Sequence, residues 1–178
     1  MKSVRELQKQ SFETLKKEFG FTNSMQAPRL TKVVISVGTG SFKDKNKYKV
    51  VETRLAKITG QKAAPRAAKQ SIASFKLRQG DAVGYQVTLR GAHMFDFIDK
   101  LVNVALPRTR DFRGLNPAAI DSVGNFTIGI KEHSIFPETT DEELKDVFGM
   151  AATVVTTAKN KIHAKAFFEL LGFPFKKA

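Results

Sequence analysis

Apolar residues recur three or four positions apart, which is helical spacing, in four stretches of the chain. The first stretch covers residues 3–19 and is followed by Gly20, a common helix terminator. The second ends at Gly60, the third ends before Pro107, and the fourth lies near the end of the sequence. The pattern therefore predicts four amphipathic helices. Their apolar positions are Val4, Leu7, Phe12, Leu15 and Phe19, then Tyr48, Val51, Leu55 and Ile58, then Phe95, Ile98, Leu101, Val102 and Ala105, and finally Ile162, Ala166, Phe167, Leu170 and Leu171.

Shorter stretches with β-branched residues or apolar–polar alternation predict strands. They lie at residues 31–37, about 63–69, 85–89, 126–130 and 151–157. Because helices and strands do not alternate strictly, a doubly wound parallel sheet is disfavoured. We expect one domain over residues 1–178 of the α+β class, with an antiparallel (mixed) sheet of about five strands and helices packed on one face. The open face of such a sheet is available to RNA.

The positive charge of the chain is concentrated in its first half. The formal net charge is +13. Residues 1–80 hold 18 basic and 5 acidic side chains, whereas the remaining residues hold 12 of each. Residues 61–80 contain no acid at all. This asymmetry favours a polyanionic partner over a merely soluble basic surface. A membrane surface is disfavoured because the charges of the first helix are mixed in sign.

Two irregular segments interleave basic and aromatic residues. The first lies in an exposed basic loop at about residues 70–84, which contains few large apolar side chains and which we expect to be mobile in isolation. The second contains Arg108, Arg110 and Arg113. Arginine and lysine neutralise phosphates, and phenylalanine stacks on unpaired bases. Phe75 and Phe112 remain open between a core role and a base contact.

Catalytic and metal-binding signatures are missing from the sequence. There is no Cys, and none of the three histidines has a partner at metal-ligand spacing. Gly38-Thr39-Gly40 follows a strand, but the third glycine of a dinucleotide-binding fingerprint is missing. We interpret these glycines as a turn with unusual φ and ψ, although an RNA phosphate could still approach their amides. We therefore predict no enzyme activity, no cofactor and no metal.

The second half contains an acidic cluster where a helix start is predicted at Thr140. Its members are Asp141, Glu142, Glu143 and Asp146. They are expected to form a solvated helix face or to meet a basic protein partner. No apolar run reaches the ~20 residues of a membrane span, and the first ten residues lack the apolar region of a secretory signal. We therefore expect a cytoplasmic protein without a membrane partner.

Several motifs together closely resemble the large-subunit ribosomal protein L-five family, which binds 5S ribosomal RNA. They run in the family's order and with its spacing over nearly the whole chain. The run SIASFKLRQG, VTLRG and PRTRDFRGL is the most specific part. The matching pieces are PRLTKVVISVGTG at 28–40, TGQKAAPRAAKQSIASFKLRQG at 59–80, VTLRGAHMFDFIDKL at 87–101, ALPRTRDFRGL at 105–115, GNFTIGIKEHSIFPE at 124–138, TTAK at 156–159 and FPF at 173–175.

The resemblance implies an α+β sandwich in the central protuberance of the large subunit. There the first helix, the sheet face and nearby turns would hold 5S rRNA, beside 23S rRNA and neighbouring large-subunit proteins. The family's RNA-contacting positions fall on Ser36, Gln61, Phe75 and Thr88. To this rRNA surface we add four nearby basic residues, Arg29, Lys32, Lys62 and Arg90.

Two further contacts are implied by the resemblance. The basic loop would reach the elbow of the peptidyl-site tRNA through Ser74, Lys76, Arg78, Gln79 and Gly80. The family also touches a small-subunit head protein across the subunit interface. Residues 108–115 and 133–146 are both candidates for that contact.

The sequence departs from the family at two places. Ser36 stands where the family usually has Asn, so that a shorter hydroxyl replaces an amide and a bridging water could substitute for direct contact. Gly149 to Ala152 stand where the family usually has an acidic residue. Two alternatives remain beside the ribosomal function: a general RNA-binding protein, and an RNA-modifying enzyme that uses residues 38–40 as a cofactor loop.

Overall fold

The computed structural model describes residues 3–40, 42, 45–110, 112–139 and 147–176, apart from the side chains of residues 45 and 46. These residues form four α-helices and five strands, and a π-helical turn at Leu101–Ala105 continues the third helix. The predicted helix start at Thr140 and its acidic cluster lie outside the described residues. In chain order the elements are α1 (Val4–Phe19), β1 (Leu30–Gly38), α2 (Lys45–Thr59), β2 (Ala64–Ala67), β3 (Ala82–Leu89), α3 (Gly91–Lys100), β4 (Phe126–Ile130), β5 (Met150–Thr156) and α4 (Lys161–Leu170).

The five strands form one open antiparallel sheet in the order β2-β3-β1-β5-β4, which confirms the predicted α+β class. Side chains alternate between the two faces of a strand. In β4, in β5 and in β1 from Lys32 onward, one set of alternate residues is buried and the other set is exposed or half-buried. One face of the sheet therefore carries the core, and the other is open. Pro65 lies in the edge strand β2, where a missing N–H is tolerated.

The chain folds as two compact units, each assembled from separate stretches of sequence. The first combines the chain up to Val33 with residues 90–128 and the residues from Thr153 onward. Within it, Ser3 and Glu6 form a capping box at the start of α1, and the Val4 N–H donates to the Asp99 carboxylate at 2.9 Å. The core of this unit contains large, fully buried aromatic and aliphatic side chains, namely Leu15, Ile98, Leu101, Ile120, Phe126, Phe167 and Phe168.

The second unit combines Val34–Leu89 with Gly129–Ala152. Helix α2 buries Val51, Leu55 and Ile58 as predicted, and ends at Gly60 with φ +68°. The same helix face also buries Arg54, whose Nη1 lies 3.1 Å from His133 Nε2. The His133 ring in turn stacks on Phe148 at 4.2 Å. His133 is therefore a buried structural histidine.

Three local predictions were wrong. Ile162 is 70% exposed because it lies in the first turn of α4, and the buried stripe is Ala164, Phe167, Phe168 and Leu171. Strand β3 begins at Ala82, three residues before the predicted start, because Ala82 pairs with Ala67 across the ladder. In the 38–40 segment, neither glycine has a positive φ.

The strand geometry explains the error at the Gly38-Thr39-Gly40 segment. The Thr39 N–H donates to Val83 O at 2.9 Å, so the chain stays paired with β3 up to Thr39. The Phe42 N–H then donates to Thr39 O at 3.0 Å, in a turn that needs no glycine of positive φ. The glycine that the packing requires is Gly84, because a Cβ there would lie 2.5 Å from Val37 O. These glycines therefore supply no special turn for a cofactor.

Candidate nucleic-acid interface

The open sheet face of the second unit carries polar side chains on two neighbouring strands. On β1, Ser36 is exposed between the buried Ile35 and Val37. On β3, Thr88 is half-buried and alternates with the buried Val87 and Leu89. Because alternate residues point to opposite faces, Ser36 and Thr88 both lie on the open face. The two predicted positions thus share one surface of hydroxyl donors and acceptors.

A cationic side chain joins this face from the edge strand. Arg66 on β2 lies opposite Gly84 on β3, and its Nε donates to Gln86 Oε1 at 2.5 Å. Gln86 alternates with Val87 as Thr88 does, so it lies on the same open face. In the sequence Arg66 is only one of the cations of the acid-free segment 61–80, and no motif singles out Gln86. The alternation in β3 placed Gln86 on the polar face, but its partner depends on strand pairing, which the sequence does not reveal.

Gln61 and Lys62 follow directly after α2. Gln61 is exposed, and its N–H donates to Thr59 Oγ1 at 3.3 Å. The Lys62 Nζ lies 3.7 Å from Glu52 Oε1, and the lysine side chain is 86% exposed. Such a solvent-screened pair contributes little to stability. Lys62 can therefore leave Glu52 for a phosphate at small cost.

The negative charge of Glu52 also affects the pKa of Tyr85. Burial first, and then the negative charge of Glu52 and the neighbouring Tyr48, raise the pKa of Tyr85 above its ordinary value. The Tyr85 phenol therefore remains neutral at physiological pH. This cluster belongs to the packing of α2 on β3 and supplies no acid–base group to the open face.

The basic loop is held together by its own hydrogen bonds. Ile72 and Leu77 form an antiparallel bridge, with N···O distances of 2.9 and 3.2 Å. At the base, the Ala68 N–H donates to Asp81 O at 2.8 Å, and the Gly80 N–H donates to Ala68 O at 3.0 Å. The loop therefore has a defined conformation between β2 and β3, while its expected mobility in solution stays a prediction.

Two side-chain contacts brace the same loop. The Gln79 N–H donates to Ser71 Oγ at 2.9 Å, and the Arg78 N–H donates to the Asp81 carboxylate at 2.8 Å. Since these bonds engage only the backbones of Arg78 and Gln79, their side chains remain exposed. Gly80 has φ +93°, a conformation that favours glycine.

The tip of the loop presents an aromatic ring to solvent. Phe75 is 78% exposed, which excludes the core role left open for it. It ends a short 3₁₀ turn and is followed by Lys76, whose φ of +53° reverses the chain. Ser74, Lys76 and Arg78 are exposed around it. An exposed ring flanked by cations is suited to stack on a base and to neutralise its phosphate.

The other predicted basic residues belong to the first unit. Arg29, Arg90 and all three arginines of the second basic loop (Arg108, Arg110 and Arg113) are exposed there, and Lys32 is half-buried. Phe112 is half-buried. Gly114, with φ +92°, ends the loop where the Leu115 N–H donates to Pro174 O at 2.7 Å. The loop is thus anchored on the last described segment of the chain.

A shallow groove about 540 Å³ in volume continues the open face of the second unit beyond Ser36. Its lining includes Gly38, Gly129, Gly149 and Lys131. In the described part of the chain, no group of three His, Cys, Asp or Glu side chains is placed to hold a metal ion. No helix among the described residues is long and apolar enough to cross a membrane.

Comparison with known proteins gives matches over most of the chain. Residues 23–78 match the family profile described as Ribosomal protein L5, and residues 82–175 match the profile for the C-terminus of the same ribosomal family. The large ribosomal subunit protein uL5 of Fervidobacterium nodosum is 48% identical over 171 residues, covering 96% of this chain and 93% of that protein. Its counterpart in Solidesulfovibrio magneticus is 52% identical over 166 residues, covering 92% of each chain. That of Anaeromyxobacter sp. (strain K) is 47% identical over 172 residues, covering 95% and 94%.

Proposed function

Because the chain belongs to the ribosomal protein L5 family, we propose that it binds 5S rRNA through the open sheet face and contacts the peptidyl-site tRNA through its basic loop. Membership in this family makes it a structural protein of the large ribosomal subunit, associated with rRNA and ribosomal proteins, and not an enzyme. Its relatives are ribosomal proteins, which places the chain in the cytoplasm.

The observation that carries the 5S rRNA assignment is the open face of the second unit. Ser36 and Thr88 offer hydrogen-bond donors and acceptors there, and Arg66, held by Gln86, adds a cation at the edge. Hydroxyl and amide groups can read base edges and the 2′-OH, while arginine contacts phosphate. A flat polar surface with one cationic edge therefore suits an RNA strand better than a small molecule.

Ser36 takes the place that the resemblance gives to an amide. Its hydroxyl is exposed on the open face and extends less far than the side chain of Asn. A water that bridges the hydroxyl and the RNA would restore the missing reach at small entropic cost. We propose this bridged contact for Ser36.

The tRNA contact is proposed for the loop at about residues 70–84. The exposed side chains of Lys76 and Arg78 project from a backbone that is already hydrogen-bonded. Preorganisation reduces the ordering cost of binding. Arg78→Ala should therefore weaken tRNA-linked function of assembled subunits more than it weakens 5S binding by the isolated protein. Loss of isolated 5S binding in this variant would contradict the assignment of the loop.

A contact with a small-subunit head protein is proposed for the second basic loop. Arg108, Arg110 and Arg113 are exposed together in a segment anchored at Leu115. The other candidate, residues 133–146, is described only up to residue 139. Within its described part His133 and Ile135 are buried, so it offers fewer exposed groups than the arginine loop.

A competition titration tests the central proposal. The purified chain binds a labelled bacterial 5S rRNA at near-physiological salt and is challenged with excess tRNA and with an unrelated duplex RNA. We expect 5S rRNA to be preferred by about a thousandfold, or ~4 kcal/mol. Equal competition by all three RNAs would show a general electrostatic RNA binder and refute specific 5S recognition.

A further inference from the structure

Two long polar side chains meet diagonally on the open face of the β2–β3 pair. Arg66 lies opposite Gly84, and Gln86 lies opposite Ala64. Since each long side chain faces a residue with little or no side chain, the diagonal neighbour is the partner within reach. The Nε–Oε1 hydrogen bond between Arg66 and Gln86 is the result.

This hydrogen bond uses only one of the five donors of the guanidinium. An arginine carries one Nε–H and four Nη–H donors in a rigid plane. The four Nη–H donors of Arg66 meet no partner among the residues that the structure describes, and the side chain is exposed. Two acids of the same unit have other partners, since Glu52 pairs with Lys62 and Asp81 accepts from the Arg78 backbone. The guanidinium thus presents an unoccupied fork to solvent.

We propose that Arg66 is a phosphate-contacting residue of the RNA interface and that Gln86 is the positioning residue that fixes its guanidinium over the open face. The inference rests on the proposed 5S rRNA binding and names a contact beyond the positions implied by the family resemblance. The planar fork matches a phosphate with two parallel hydrogen bonds. Anchoring at Nε restricts the rotamers of Arg66 before RNA arrives, so less freedom is lost on binding.

The test measures binding of the full chain to a bacterial 5S rRNA across about 50–200 mM salt. Arg66→Ala should weaken binding about tenfold, and it should make the log–log salt dependence less steep by about 0.7–0.9 because one phosphate contact is lost. The matched control is Lys165→Ala on α4, which removes one exposed positive charge outside the interface. It should change affinity by less than about twofold.

Two variants of Gln86 separate positioning from charge. Gln86→Ala keeps the Arg66 charge, so the salt dependence should stay that of the wild type while affinity falls about threefold from lost orientation. Gln86→Glu places a carboxylate on the guanidinium, so it should reduce the steepness of the salt dependence as Arg66→Ala does. If Gln86 acted only in folding, the two variants would not differ in the salt dependence of binding.

The outcomes distinguish failure of this inference from failure of the proposed function. If Arg66→Ala behaves as Lys165→Ala does while the wild type still prefers 5S rRNA, the Arg66 contact is refuted and the function stands. If the wild type shows no preference for 5S rRNA, both are refuted. Should Arg66→Ala unfold, Arg66→Lys decides. It keeps the charge but loses the fork, and affinity equal to that of the wild type would overturn the proposal.

Discussion

Thr39 carries a fully buried hydroxyl that has no hydrogen-bond partner within the described part of the chain. The backbone of Thr39 is satisfied, since its N–H donates to Val83 O at 2.9 Å. Among the described residues, the buried side-chain oxygen therefore has nothing that compensates its loss of water. Replacement by Val keeps the branched shape and removes the polar atom, so Thr39→Val should stabilise the protein.

The magnitude follows from the cost of an unpaired buried hydroxyl, which is about 1–3 kcal/mol in mutational data. Imperfect fit of the new methyl group offsets part of this gain, so we expect Thr39→Val to raise the free energy of unfolding by about 1–2 kcal/mol. In a chain of this size each kcal/mol raises Tm by about 2–4 °C.

The assay is urea unfolding followed by far-UV circular dichroism, with the m-value as a check that the transition is unchanged. Thr59→Val is the matched control, because Thr59 is also buried but its Oγ1 donates to Leu55 O at 2.7 Å. That variant should lose about 1 kcal/mol. If Thr39→Val destabilises the protein as much as Thr59→Val, the Thr39 hydroxyl has a partner such as a buried water, and the reasoning is wrong.

Three further predictions use other features of the chain. Gly84→Ala should destabilise the protein by about 1–3 kcal/mol in urea unfolding, because the new Cβ would lie 2.5 Å from Val37 O. The control Gly38→Ala should be close to neutral because a Cβ at Gly38 would have nothing within 4 Å, and equal effects of the two variants would contradict the close approach at Gly84. Phe75→Ala should change the free energy of unfolding by no more than about 0.5 kcal/mol, since the ring is 78% exposed. It should weaken 5S rRNA binding, measured by titration, by about 1–3 kcal/mol, and an unchanged affinity would remove Phe75 from the interface. Burial raises the pKa of Asp121, but hydrogen bonds from Asn125, Val123 and Gly124 outweigh it and lower the pKa below the ordinary 3.8. The stabilisation is thus present above pH 3.8 and lost as the pH falls from there towards the folded-state pKa. Asp121→Asn should lose this part of the acid sensitivity in pH-dependent unfolding, and an identical pH profile would refute it.

Elements with local signals were predictable to within one or two residues. Helix α1 was expected at residues 3–19 and lies at Val4–Phe19, because Ser3 and Glu6 cap its start and Gly20, with φ +67°, ends it. These interactions join residues close in sequence. The same holds for the end of α2, because its apolar stripe and the terminal Gly60 are both local.

Elements that depend on distant residues were harder to predict. The strand predicted at about 63–69 is present as β2, but all four of its residues are exposed, so burial alternation does not mark its ends, which its pairing with β3 sets. The start of β3 depends on the same ladder, which shifts register between Arg66 and Ala67. The buried Arg54 was missed for a similar reason, because its neighbour His133 lies 79 residues away in sequence.

The residues of the candidate site also differ in whether local sequence could place them. Ser36 and Thr88 could be placed on one face because strand alternation is a local property, whereas the Arg66–Gln86 contact requires knowledge of register. The division has a physical consequence for the interface. Side chains on the open face bury little surface in the free protein, so most substitutions there should change RNA affinity with little change in stability. Binding and folding are therefore separable by mutation on this face.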